Sequence, residues 1–272
     1  FGFKLLISGI LNNVWSQLYQ VVVGRYYSPM TLGQYTRSNE FAGIVSSNIT
    51  NIVQRVSYPV LADIQNDPLR MVAAYRRIIK TTMLLTCVLV ISLGAVAEPF
   101  IYCLIGPQWH EAATYLPLIC IISSTYPLQA INLNMLQVLG RSDIFLYLEI
   151  VKKGLAVLPL LIGIFFNIYL MLIASIVLSI INFFLNSYYT GKKLGYTSFM
   201  QLRDVSLDYL IAIIIAVSVY FLKFLPLTPW VILIMQILVG AVVCFVLCEM
   251  LKLPEYLELK SIALTLVRKF KS

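Results

Sequence analysis

Long apolar blocks, cut by short charged connectors, recur from one end of this chain to the other, and no other feature restricts the fold as strongly. Eight blocks stand out, over residues 5–24, 39–61, 81–105, 113–139, 144–166, 168–190, 207–225 and 229–251. Each is close to the ~20 mostly apolar residues that a helix needs to cross a bilayer. They run on without the alternation in ~10-residue units that marks a transmembrane barrel. Only 12% of the 272 residues are charged and 60% are hydrophobic, against about 25% and 45–50% in a soluble domain. Water cannot cover that much apolar surface, so the expected fold class is all-α, a polytopic transmembrane helical bundle of about eight spans. Helix breakers fall in the connectors: Ser28-Pro29, Asp67-Pro68, Gly106-Pro107, Gly140-Arg141, Gly191 and Pro226 to Pro229. The polar stretch 62–80 is read as a short amphipathic helix on the membrane surface.

The basic residues set an orientation, because Lys and Arg collect on the cytoplasmic side. With the N-terminus inside, that side receives Lys4, Arg70, Arg76, Arg77, Lys80, Arg141, Lys152, Lys153, Lys192, Lys193, Arg203 and five more in the tail. The outer side receives Arg25, Arg37 and Lys223, while Arg55 falls inside a span. Both termini are therefore expected in the cytoplasm. The net charge of +8 follows from this topology and calls for no nucleic-acid partner. Trp109, Tyr115, Trp230, Tyr188 and Tyr189 lie near span ends, as interfacial aromatics do.

Catalytic and metal-binding patterns are scarce. The five cysteines have no metal-ligand spacing and read as small apolar filler. The single histidine, His110, follows Trp109 in a loop and reads as a helix start. There is no Asp-x-Asp, no His-x-x-x-His and no glycine-rich phosphate loop. A metal-dependent glycosyltransferase and an ATP-driven pump are disfavoured, and neither an enzyme activity nor a cofactor is expected. The chain opens at Phe1, with no charged n-region or cleavage site, so the natural protein is expected to begin upstream.

Candidate binding residues come from polar helix faces. Asn13, Ser16, Gln17 and Gln20 share one face of the first block, and Asn48, Asn51 and Arg55 one face of the second. Ser175, Ser179, Asn182 and Asn186 do so in the sixth, where gluing helices together is the preferred reading. A charge at mid-helix in lipid costs about 2.5–3.5 kcal/mol on insertion scales and marks a functional site by default, although Arg55 is placed where it can also snorkel to the interface. Glu149 and Lys153 are spaced to pair at i, i+4, which leaves Lys152 the less neutralised cation. Arg55, Arg141 and Lys152 then form a cationic set suited to a phosphate or pyrophosphate, with Asn13, Gln17, Asn48 and Asn51 completing the candidate cavity. The positive-inside rule alone also accounts for Arg141 and Lys152. The blocks 207–225 and 229–251 have almost no polar side chain between their ends and are read as lipid-facing.

Four ordered segments carry a family resemblance: VVVGRYYSPMTLGQYTRSNEF, IVQRVSYPVLADIQNDPLRMVAAYRR, LIGPQWHEAATYLPLI and YPLQAINLNMLQVLGRSDIFLYLEIVKK. Together they resemble the polysaccharide-transporter branch of the multidrug/oligosaccharidyl-lipid/polysaccharide exporter superfamily, the Wzx-type repeat-unit flippases. The resemblance covers residues 1 to about 155 in motifs and the rest in hydropathy only. It implies two six-helix lobes around a central cavity, often with two further helices. Residues 1–190 would be the second lobe, and residues 191–272 two additional lipid-facing helices with a basic tail. It further implies an undecaprenyl-type lipid-linked oligosaccharide passed to the periplasmic leaflet of a bacterial inner membrane by alternating access. The partners would be that lipid, membrane lipids and the missing N-terminal lobe of the same protein. The rivals are a cation-coupled drug exporter of the same superfamily and a membrane enzyme of the same pathway, such as a repeat-unit polymerase.

Overall fold

The computed structural model describes residues 9–10, 14–15, 20–257 and 260–261. All described regular structure is helical. A helical stretch over 20–26 precedes α1 (Pro29–Asp63), α2 (Pro68–Ala95), α3 (Ala97–Leu104), α4 (His110–Ser124) and α5 (Tyr126–Val138). After these come α6 (Ser142–Leu155), α7 (Val157–Phe165), α8 (Ile168–Leu194), α9 (Ser198–Tyr220) and α10 (Pro229–Leu251).

Local chemistry accounts for the ends. Ser28 Oγ accepts from the Thr31 amide at 3.1 Å and starts α1; Asn167 Oδ1 accepts from the Leu170 amide at 2.9 Å and starts α8. Gly195, at φ +72°, ends α8 in the left-handed region that favours glycine. Gly191 lies inside that helix and is no breaker. A Cβ there would come 3.0 Å from the Thr197 Cα, so it lets α8 approach the chain entering α9.

Prolines decide where the expected spans break. A proline has no N–H to give the carbonyl four residues back, and its ring clashes with that carbonyl. Pro99, Pro127 and Pro159 each stand three or four residues beyond a helix end, at Ala95, Ser124 and Leu155. The block 81–105 is thereby divided between α2 and α3, 113–139 between α4 and α5, and 144–166 between α6 and α7.

The expected surface helix over 62–80 is corrected. Asp67 Oδ1 accepts from the Arg70 amide at 3.1 Å and Pro68 occupies the first turn. No breaker follows before Gly94, so α2 runs unbroken from Pro68 to Ala95. Five helical stretches among the described residues are long and apolar enough to cross a membrane: Pro68–Ala95, Pro107–Val138, Ile168–Leu194, Ser198–Phe224 and Pro229–Leu251. The protein is a multi-pass helical membrane protein.

α2 is the central post. It packs along α9, α4, α1 and α5, and its buried residues enter three apolar clusters. Val90 belongs to one cluster with Ala112 and Leu116, Met83 and Cys87 to a second with Leu128 and Ala212, and Leu84 to a third with Ile211 and Ile215. α8 lies on the far side against α5, α4 and α7. α10 is peripheral, resting on α9 and α3. Only 22% of its most apolar window is buried, against 50% for Pro107–Val138, and Ile234, Ile237, Leu238 and Val242 stand exposed.

Candidate functional site

The buried polar residues of α1 divide by what they touch. Gln34 clamps α1 to the start of α4, its Oε1 accepting from the Ala112 amide and its Nε2 donating to the Gln108 carbonyl, both at 2.9 Å. Ser38 donates to the Ala112 carbonyl at 2.9 Å, and Gln54 to the Ala130 carbonyl at 3.1 Å. These side chains hold helices together. On an adjoining strip of α1, Tyr35, Thr36, Asn39 and Ser47 instead line a cavity of about 470 Å³.

The opposite walls of this cavity come from Ser123, Tyr126 and Gln129 on α4 and α5, and Ser175, Ser179 and Asn182 on α8. Gln129 Nε2 donates to Thr125 Oγ1 at 3.0 Å and reaches the Ser179 carbonyl at 3.2 Å, fixing one wall. Asn182 Oδ1 is enclosed and has no partner among the described residues, and neither amide atom of the fully buried Asn186 one turn on has one. None of the described lining residues is charged. Hydroxyls and amides can exchange hydrogen bonds with a neutral, hydroxyl-rich ligand, and nothing in the lining supplies a nucleophile with its base.

Of the residues singled out in sequence, Asn48, Asn51 and Arg55 are exposed on α1, beyond the last cavity-lining residue Ser47, and none of the three lines the cavity. Among the described residues Arg55 has no carboxylate partner. Asn13 and Gln17 lie outside the described residues. Arg141 makes two hydrogen bonds to Asp143, at 3.0 and 2.9 Å, and holds that carboxyl below the usual carboxylate range. Glu149 takes Lys152, three residues on, rather than Lys153, and the pair is nearly enclosed. Two of the three cations in the expected set are thus matched by their own carboxylates, and neither Arg141 nor Lys152 lines the neutral cavity.

Sequence reasoning missed two intramembrane polar residues. Asp208 is 5% exposed, with Oδ2 unpartnered among the described residues. Gln236 is 1% exposed and its Nε2 donates to the Val219 carbonyl at 3.0 Å. The available signal was the spacing of Asp208 with Val205, Ala212 and Ile215, the face α9 buries. A third polar group is closed: Tyr75 and Thr190 donate to Asn132 Oδ1 at 2.8 and 2.7 Å, and Asn132 Nδ2 to Gln201 Oε1 at 2.8 Å.

Comparison with known proteins follows this geometry. Residues 1–114 match a family described as polysaccharide biosynthesis protein. The chain is 23% identical over 160 residues to the amylovoran biosynthesis protein AmsL of Erwinia amylovora, covering 59% of this chain and 41% of that protein. It is 30% identical over 121 residues to the succinoglycan biosynthesis transport protein ExoT of Rhizobium meliloti, 44% of this chain and 24% of that one. It is 22% identical over 163 residues to the lipopolysaccharide biosynthesis protein WzxC of Escherichia coli, 60% and 33% respectively. The chain therefore spans well under half the length of these relatives. The fold is that of the lipid II flippase MurJ in an inward closed conformation, with a TM-score of 0.75 at 16% identity over 92% of this chain and 53% of that one. On these matches the chain resembles the Wzx-type flippases: residues 1–114 match the polysaccharide biosynthesis protein model, and the helices are arranged as in MurJ.

Proposed function

We propose that this chain forms one lobe of a transporter that moves a lipid-linked oligosaccharide from the cytoplasmic to the periplasmic leaflet of a bacterial inner membrane. The carrying observation is the 470 Å³ cavity whose wall sets hydroxyls and amides among Trp15, Ile119, Ile122, Leu172 and Leu178 and carries no described charged residue. Unpaired polar groups in hydrocarbon are costly, so such a wall persists where a polar ligand or water occupies it. Sugar hydroxyls and the apolar faces of sugar rings match such a mixed, neutral wall. The exposed face of Asn48, Asn51 and Arg55 suits a second wall, completed by the remainder of the protein. There a free guanidinium can meet the phosphate groups between sugar and lipid. No covalent chemistry is needed, because alternating access requires only a polar path and two packings of the helices. Distribution of the basic residues supports the sidedness, with both ends of the chain in the cytoplasm.

The test is export in a strain lacking the gene, complemented by the whole protein. Ser47→Leu with Asn182→Leu removes polar groups from both walls and narrows the space. Surface polysaccharide, normalised to membrane-inserted protein, is expected to fall at least tenfold. Leu89→Ala, at an exposed apolar position of α2, should leave it unchanged. Full export by the double variant at normal protein level would refute the cavity as the sugar path.

A further inference from the structure

A second cavity, of about 520 Å³, lies beside the first turns of α9, between that helix, α2 and the segment that follows α10. It shares no described residue with the neutral cavity, and its wall is charged where the other is not. Among its described lining residues three cations, Arg76, Lys80 and Arg203, accompany three carboxylates, Asp204, Asp208 and Glu255. Four of the six are paired. Arg76 donates to both oxygens of Asp204, at 2.5 and 2.6 Å, and Lys80 holds Glu255 at 2.5 Å. One anion and one cation are left. Asp208 is 5% exposed, and its Oδ2 has no partner among the described residues. Arg203 is exposed and has no carboxylate partner among them.

These two do not answer each other. Five residues apart on one helix, they stand about 140° apart around its axis and about 7.5 Å apart along it. An ionised carboxylate enclosed without a partner is costly, so a ligand that completes this wall must bring a cation to Asp208 and an anion to Arg203. Depth narrows the choice. The 27 residues of Ser198–Phe224 extend about 40 Å, roughly 10 Å more than the hydrocarbon core. Gln201, Arg203, Asp204 and Asp208 gather at the Ser198 end, which places the excess there. Arg203 then lies among lipid headgroups, and Asp208, about 15 Å along the helix from Ser198, just inside the hydrocarbon. Met200 and Leu207, both exposed, continue the wall with apolar surface. We infer that this cavity binds a primary ammonium joined by a short spacer to a phosphate, the ammonium on Asp208 and the phosphate on Arg203. That is the chemistry of an aminoethyl phosphate, either free in solution or borne as the headgroup of an ethanolamine phospholipid. A quaternary ammonium has the same charge but no N–H to give Asp208, so the choline analogues are the discriminating controls. The site stands apart from the neutral cavity, and its test does not depend on transport.

The experiment is a binding titration of the whole protein in non-ionic detergent, read by native mass spectrometry. One series uses phosphatidylethanolamine, phosphatidylcholine and phosphatidylglycerol; the other uses free aminoethyl phosphate and choline phosphate. The ethanolamine member is expected to bind about tenfold tighter than its choline analogue. Preference in the lipid series alone assigns the site to the headgroup with its chains, and preference in the free series assigns it to the small zwitterion. Asp208→Asn keeps the shape and removes the charge. It should weaken the ethanolamine ligand about tenfold, as loss of a hydrogen bond between charged groups does, and leave phosphatidylglycerol unchanged. Arg203→Gln should weaken both about fivefold, the effect of one basic side chain near a headgroup phosphate. Asp63→Asn, an equal change in net charge at an exposed position outside the cavity, should have no effect. Equal affinity for the ethanolamine and choline members in both series overturns the proposal, as does an undiminished preference in Asp208→Asn or an equal loss in Asp63→Asn. If Asp208→Asn fails to fold, Arg203→Gln decides, since ethanolamine binding undiminished by that exposed change also overturns the site.

Discussion

Along one stripe of α8, Asn182 lines the cavity and Asn186 is buried with its amide unmatched among the described residues, while Thr190, one turn further, sits in a closed knot. The residue types are nearly interchangeable, yet their surroundings are opposite. Thr190, Tyr75, Asn132 and Gln201 are all fully buried and satisfy one another across α8, α2, α5 and α9. Among the described residues, Asn182 has an enclosed oxygen without a partner, and Asn186 has neither amide atom paired. The difference is which helices converge. At the Thr190 end, α2, α5 and α9 meet and bring donors to acceptors. Nearer Asn182, α8 packs on α4 and α5 but has no extended packing against α1, and the cavity opens between them. A polar stripe in a membrane helix is thus glue or cavity wall according to what crosses it.

The largest effect should come from breaking the knot. Asn132→Leu removes an acceptor shared by two hydroxyls and leaves the buried Tyr75 hydroxyl and Gln201 Oε1 unmatched, while Thr190 keeps the Asn186 carbonyl at 3.1 Å. A buried group stranded in this way costs about 1–3 kcal/mol, although hydrogen bonds between membrane helices average nearer 0.6. We expect a loss of about 3 kcal/mol in reversible unfolding from bilayer or mixed micelles. A loss under about 1 kcal/mol would mean that the knot is no more than the cavity wall with its gaps closed.

Asn186→Leu should move the other way. Its amide is fully buried and forms no hydrogen bond among the described residues, so an apolar side chain of similar shape should be neutral or stabilise by about 1 kcal/mol. The same unfolding measurement reads it. Destabilisation as large as that of Asn132→Leu would erase the contrast between the two ends of the stripe and point to water held at Asn186.

Arg55 gives the smallest effect on folding and separates stability from transport. It is exposed, so Arg55→Ala should change stability by no more than about 0.5 kcal/mol. In the whole protein, export of polysaccharide should nevertheless fall, and Arg55→Lys should restore part of it, because charge remains but the planar fork does not. Normal export by Arg55→Ala at normal protein level would mean that the guanidinium only snorkels to the interface.

Much of the frame was legible in sequence because hydropathy and breakers act locally. The apolar blocks and the breakers Ser28-Pro29 and Asp67-Pro68 write their consequences within a few residues, whereas the breaks ahead of Pro99, Pro127 and Pro159 inside three blocks went unread. The supposed surface helix over 62–80 failed because polarity was read as a break, whereas a helix continues through Arg76, Arg77 and Lys80 when no residue interrupts its hydrogen bonds. Asp208 was overlooked in an apolar block because composition averages over a helix, and burial depends on which face meets α2. The partner of Glu149 was misread for a similar reason: Lys152 and Lys153 are both within reach on a helix, and rotamers and neighbours chose the nearer.

By itself, then, the sequence determined a helical membrane protein, helix ends near the edges of several apolar blocks, and four motifs that resemble an exporter family. These depend on propensity, hydropathy and local hydrogen bonding, which a linear chain already contains. Only the tertiary structure decided that Ser47 and Asn182 face a common space, that Asn132 gathers three helices, that Arg141 and Lys152 are neutralised by neighbouring carboxylates, and that Arg203 and Asp208 line one cavity. Each depends on the angle and spacing at which separate helices cross, and that is fixed by close packing of the whole set rather than by any one stretch of residues.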